Sequence, residues 1–170
     1  IGYLEKLLAS PIKRGAIPLG KSISSMIQGA MQVAIIIVIA SLFGVCFHTG
    51  IPGILLIIFI AMLFCLILSG FSLTLSSIIK THETLMAIVN FSTMPLMFTS
   101  NALFPMSVMP AWLAAIAKVN PVSLAVTAIR ELTIHGWVWG KILPSLGIIL
   151  ILDIIFILIS QFAFQRETVE

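Results

Sequence analysis

One carboxylate, Asp153, stands inside a long apolar run from Ile142 to Phe164. A carboxylate at mid-depth in a bilayer is costly and usually faces protein or a water-filled path. Three roles are open to it: a structural hydrogen bond or ion pair, the lining of a substrate or ion path, or an interfacial position if the span is set differently. No Lys or Arg falls within a predicted span to neutralise it, and Arg130 is the nearest partner if its short helix dips inward. Other candidate groups are scattered. His48, His82 and His135 fall among turns and read as solvated histidines rather than metal ligands. Met94, Met97, Met106 and Met109 have a spacing that suits a soft cuprous ion, but flexible apolar filler around a helix break is the simpler reading. Cys46 and Cys65 lie in different apolar runs and read as small buried residues, with nothing to support a disulfide. There is no Gly-rich phosphate loop ending in Lys-Ser/Thr, so the chain is not its own ATPase by that mechanism. A membrane-embedded enzyme finds no support, because no Ser/His or His/Asp/Glu set gathers at one depth.

Polar residues also recur at helical spacing. Ser25, Gln28 and Gln32 share one face, as do Ser69, Ser72 and Ser76, and again Asn90 and Thr93. Interhelical hydrogen bonding is the structural reading. A polar vestibule lined by Gln28, Gln32 and Asn90 is the functional one.

These residues must be positioned by membrane helices. The chain has 170 residues, 60% hydrophobic and 9% charged, against about a quarter charged in soluble domains. No Asp, Glu, Lys or Arg occurs from Ser22 to Ile79. The expected fold is an all-α integral membrane bundle. Four spans are predicted at about 22–47, 54–79, 84–103 and 142–164, each offering about 20 apolar residues for a core of about 30 Å. Pro95 predicts a kink or break in the third. Residues 1–21 form an amphipathic, basic segment before the transmembrane part at 22–170. A net charge of +3 gives no reason to expect nucleic acid. Lys6, Lys13, Arg14, Lys21, Lys80 and Arg166 fall on one side and Lys118, Arg130 and Lys141 on the other. The positive-inside rule puts the first set, and both chain ends, in the cytoplasm. Trp112, Trp137 and Trp139 then fall outside, where indole rings favour the interface. Gly136-x-x-x-Gly140 matches a helix-dimer motif weakly, because it lies among those tryptophans.

Between the third and fourth spans the sequence runs Asn101-Ala-Leu-Phe-Pro-Met-Ser-Val-Met-Pro-Ala-Trp-Leu, then Asn120-Pro121, then Arg130. Pro105 and Pro110 reset the backbone, Trp112 opens a short apolar helix, and Asn120-Pro121 stops it and starts a second. Neither piece is long enough to cross a bilayer. The outer element at 105–130 is therefore expected to lie on, or dip into, one face. This order of Pro105, Pro110, Trp112, Asn120, Pro121 and Arg130 resembles the closing part of the type-2 ABC exporter permeases, and the combination is more specific than any single element. Such permeases usually have six spans, and the resemblance covers roughly the last four.

The amino-terminal segment resembles the same family. Leu4, Glu5, Leu7, Leu8, Pro11 and Arg14 fall where its cytoplasmic loop docks on the ATPase. From composition alone this stretch reads as a lipid-surface amphipathic helix. The resemblance implies a permease subunit of an ATP-driven exporter in a prokaryotic inner membrane, with a second permease copy and an ABC ATPase subunit as partners. It implies no cofactor in this chain, with ATP and Mg held by the ATPase. The alternative is an ion-gradient-driven secondary transporter or channel, with Asp153 as the ion or proton site.

Overall fold

The computed structural model describes residues 16–45, 47–79 and 81–166, and among them there are six α-helices and no strand. α1 spans Ala16–Leu42, α2 Gly50–Ser76 and α3 His82–Phe98. Two short helices follow, α4 at Ala111–Val119 and α5 at Pro121–Arg130, with a π-helical turn at Glu131–His135. α6 closes the chain at Trp139–Arg166. Three stretches, Leu19–Leu42, Gly50–Ser76 and Trp139–Phe162, are long and apolar enough to cross a membrane. This is the all-α membrane fold expected from composition.

Several boundaries differ from expectation by up to about five residues. α1 takes in Ala16–Lys21, read as interfacial, and ends at Leu42 rather than near 47; α2 starts at Gly50 rather than near 54. α3 stops at Phe98, short of the predicted Leu103, and its 17 residues rise only about 25 Å. Pro95 lies inside α3, so the break comes one turn after it rather than at it. Polar side chains close the end: the Thr99 hydroxyl donates to the Pro95 carbonyl at 2.8 Å and the Ser100 hydroxyl to the Met97 carbonyl at 2.7 Å. The same carbonyls also accept the backbone N–H groups of Thr99 and Ser100, so the hydroxyls add second bonds to the last turn.

α2 is the central helix and packs against α1, α5 and α6. Ile57, Ile60, Leu63 and Ile67 are buried in the core it shares with Leu124 and Ala128 of α5 and Ile142 and Ile149 of α6. Small residues set the closest approaches. A Cβ on Gly29 of α1 would collide with Cys65 Sγ, and one on Gly70 of α2 would lie 2.9 Å from Phe156 Cβ of α6. Small residues at such crossings let backbones approach, which is how helices associate in lipid. Phe71 adds an edge-on contact with Phe156, ring centres 6.2 Å apart.

The connections define two ends. Thr49, just before α2, bonds Leu132, just before α6. Gly70 and Phe156 meet near the other ends of the same helices. α2 and α6 therefore run in the same direction, and α1 and α3 run against them. The turn between α1 and α2, the segment after α3 and the π turn gather at one end with Trp137 and Trp139; we call this the Trp end. The start of α1, with Lys21, marks the opposite end.

Candidate functional site

The element between α3 and α6 is built by its prolines and one asparagine. Pro110 precedes α4 in an extended conformation. Asn120 ends α4 because the residue before a proline is held out of the helical region, here at φ −70° and ψ 123°. The same residue caps α5: its Oδ1 accepts the Val122 N–H at 2.9 Å, and Pro121 occupies the first helical position. The two axes meet at 81°. α5 runs to the Trp end, where Leu132 reaches Thr49 and Glu131 reaches Lys141. The pair is thus sharply bent at Asn120-Pro121, and each helix is too short to span.

Three sets of polar contacts fix it. The first joins it to α3. Asn120, 4% exposed, donates from Nδ2 to the Leu96 carbonyl at 2.7 Å and to Thr99 Oγ1 at 3.0 Å. Asn101 lies along one face of α5: its N–H donates to Ser123 Oγ at 3.0 Å and its Nδ2 to Thr127 Oγ1 at 2.7 Å. Arg130 donates from Nη2 to the Asn101 carbonyl at 3.3 Å. Ser123, Thr127 and Arg130 fall at helical spacing on that one face.

The second set holds the π turn. Thr49 donates to the Leu132 carbonyl at 3.0 Å, and His48 Nδ1 lies 3.3 Å from the Thr133 carbonyl. Gly53 makes this possible, because any side chain there would overlap Thr49. The third set centres on Glu131, 7% exposed. Lys141 donates to its Oε1 at 2.6 Å, and His135 Nδ1 lies 3.2 Å from its Oε2. Gly136, at φ +85°, then turns the chain into α6, a conformation that L side chains rarely adopt. Gly140 is exposed and lies in α6 while Gly136 lies before it, so the two do not form one helix face.

Asp153 lies midway along α6 and is 3% exposed, so it faces protein. Arg130 is not its partner, because that guanidinium bonds the Asn101 carbonyl at the Trp end. Neither carboxylate oxygen has a hydrogen-bond partner. Gln28 and Gln32 are exposed on α1, and Asn90 is exposed on α3. The structure does not bring Gln28, Gln32, Asn90 and Asp153 together. Met94 and Met97 are exposed on α3, and Trp112 is exposed at the start of α4. Pro105 is exposed before a short 3-10 turn at Met106–Val108. Among the described residues no three His, Cys, Asp or Glu side chains converge, and Cys65 is a free thiol. Leu4, Glu5, Leu7, Leu8, Pro11 and Arg14 lie outside the described residues, as do Cys46 and Lys80.

The sequence reading singled out Asn120 and Arg130 but missed Thr49, Ser123, Thr127 and Glu131. Glu131 had a signal: it is the sole acidic residue between Glu83 and Asp153, ten residues before Lys141. Thr49 had none, because its bond joins segments far apart in the chain.

Residues 1–134 match the family described as ABC-2 type transporter. A putative transport permease, ycf38, of Cyanophora paradoxa is 32% identical over 97% of this chain and 60% of its own length. The protein of the same name in Porphyra purpurea is 35% identical over 76% of this chain and 44% of its own length. A probable multidrug ABC transporter permease, YbhR, of Escherichia coli K12 is 26% identical over 86% of this chain and 40% of its own length. The chain thus spans 40–60% of the length of these curated relatives. No solved structure matches it.

Proposed function

This chain belongs to the ABC-2 type transporter family, and from that membership we propose that it forms the membrane path of an exporter driven by ATP hydrolysed elsewhere. It is a multi-pass transport permease; the export direction, the ATPase and the second copy are the proposal. The observation that supports it is the bent pair α4–α5, held by Asn120 to the end of α3, by Asn101 to the segment after α3, and by Glu131 to α6. Such an element couples helices that have few other contacts with one another, and it gives a path a defined closure at one end. The Lys/Arg asymmetry supports placing the Trp end outside and both ends of this chain in the cytoplasm of a prokaryotic cell.

Energy then enters from the cytoplasmic side. Leu4, Leu7 and Leu8 would fill an apolar groove on the ATPase, and Glu5, Lys6, Lys13 and Arg14 would set register by charge complementarity. ATP-driven closure of two ATPases would favour one arrangement of the docked segments and of the helices behind them. Truncating a leucine anchor costs about 2 kcal/mol of docking energy if it is a hot spot. The double variant Leu7→Ala, Leu8→Ala is expected to insert and fold but to lose co-purification with the ATPase and transport-coupled ATP hydrolysis. Survival of both would leave this segment as a lipid-surface helix and remove the docking proposal.

A further inference from the structure

Asp153 is enclosed by the described residues, so whatever balances its charge must sit inside the bundle. The charged groups on the surrounding elements are all committed or distant. α2 carries none. Lys21 of α1 is exposed at the far end, and His82 and Glu83 of α3 are exposed. Arg130 of α5 bonds Asn101, while Glu131, His135 and Lys141 engage one another. Arg166 lies about 20 Å further along α6 at 1.5 Å per residue. A bare buried carboxylate without a positive counterpart is not sustainable in a low-dielectric interior.

A cavity of about 190 Å³ lies between α1, α2 and α6 toward the Lys21 end. Its lining is mostly apolar, Ile23, Leu66 and Ile157 included, with Ser22, Ser160 and Gln161 as the polar members. Ile157, Ser160 and Gln161 follow Asp153 by four, seven and eight residues, so all four share one face of α6. Ile157 of its lining is thus one turn from Asp153, and Ser22, Ser160 and Gln161 are the polar partners it offers a water. Ser69 Oγ, buried and also without a partner, precedes the Gly70–Phe156 contact by one residue, and Asp153 precedes it by three. Because α2 and α6 run parallel, the two groups differ in depth by only about 3 Å.

We propose that Asp153 is a proton-binding site that loads and unloads through this cavity from the Lys21 end of the bundle. A divalent cation is the poorer ligand, since it needs several further oxygens. Among the described residues the other buried side-chain oxygens without a partner are Ser69 Oγ and, at the Trp end, Asn101 Oδ1, while Glu131 Oε2 faces His135 Nδ1. The site stands independently of the exporter reading, because it rests on the α1–α2–α6 core alone.

The test uses the full-length permease in membrane vesicles and the apolar reagent dicyclohexylcarbodiimide. A protonated carboxyl adds across one C=N bond of the reagent, its oxygen to the central carbon and its proton to nitrogen, with no leaving group. Peptide mass spectrometry is expected to find the adduct on Asp153, diminishing at least tenfold as the buffer is made alkaline. The infrared spectrum of the unlabelled protein is expected to show a carboxylic acid carbonyl band that Asp153→Asn removes. Exchange of that band in heavy water reads the route: Ser160→Leu or Ser22→Leu, each filling the cavity, should slow it at least tenfold. No adduct on wild-type Asp153 at any pH, with no acid band, overturns the proton site. Exchange unchanged in both folded cavity variants overturns the cavity as its route.

Discussion

α2 and α3 follow one another through a short turn, both are largely apolar, and they are held in opposite ways. α2 buries eight residues along its length, from Gly53 to Gly70, between three other helices. α3 has no buried residue and touches α2 only weakly. What anchors α3 is at its Trp end: the Leu96 carbonyl and Thr99 hydroxyl held by Asn120, and the Asn101 contacts just beyond. Lipid tails are as apolar as leucine, so apolarity alone gives a membrane helix no reason to bury. Close-packed small residues bury α2, and polar tethers restrain α3. α3 is thus tethered mainly at its Trp end, through the bent pair α4–α5.

The strongest way to break this comparison is to enlarge a small residue in α2. Gly70→Leu forces side-chain atoms into the 2.9 Å approach to Phe156 Cβ, and the α2–α6 core has no slack there. Overpacking of this kind costs about 1–3 kcal/mol. Thermal unfolding in detergent should show a clear fall in midpoint. The matched change on α3, Ala87→Leu at an exposed site, should leave the midpoint within error. Equal effects at both positions would mean that α3 is packed as tightly as α2.

A smaller effect is expected from cutting the tether. Asn120→Ala removes a helix cap and two bonds to α3. Caps contribute about 1 kcal/mol, and interhelical hydrogen bonds in membranes average about 0.6 kcal/mol. The sum, about 2 kcal/mol, should appear as local loosening more than global unfolding. Spin labels at Ala87 on α3 and Ala115 on α4 should give a broadened distance distribution in the variant. An unchanged, narrow distribution would show that other contacts hold α3.

Much of this was readable from the sequence, for identifiable reasons. Spans announce themselves because the bilayer demands long apolar runs, so α1, α2 and α6 were plain. Asn120-Pro121 fixed the junction of α4 and α5, because proline restricts its predecessor and asparagine caps the helix that proline opens. The end of α3 was misjudged because Leu103 and Phe104 continue the apolar run after Thr99 and Ser100 have closed the helix. Hydropathy does not register the closing turn in which the N–H groups and hydroxyls of Thr99 and Ser100 bond back to Pro95 and Met97. Arg130 could meet Asp153 only if its short helix dipped inward, and the guanidinium instead bonds a backbone carbonyl of the segment lying along α5. Thr49 and Leu132 are joined by the fold alone, and nothing local marks either as a partner.

The smallest structural effect is expected where polar groups face away from the bundle. Gln28 and Gln32 on α1 and Asn90 on α3 are exposed and make no contact that holds these helices in place. Gln28 sits beside an open cleft with Ser24 and Met31, and Asn90 beside another with Thr93 and Met97. An exposed substitution away from special features shifts stability by no more than about 0.5 kcal/mol. Gln32→Leu and Asn90→Leu should therefore unfold at the wild-type temperature, and in lipid the loss of an amide could even raise it slightly. A glutamine that stabilises nothing in its own bundle serves either a neighbouring chain or the contents of a path. If it serves the path, the same variants, folded and inserted as before, should alter substrate-stimulated ATP hydrolysis in the assembled transporter. A fall of several degrees in the unfolding midpoint would place these amides among the structural tethers and erase the distinction between the packed and the exposed faces. A normal midpoint with altered hydrolysis would sharpen it: the faces that this chain leaves open would be the ones that transport uses.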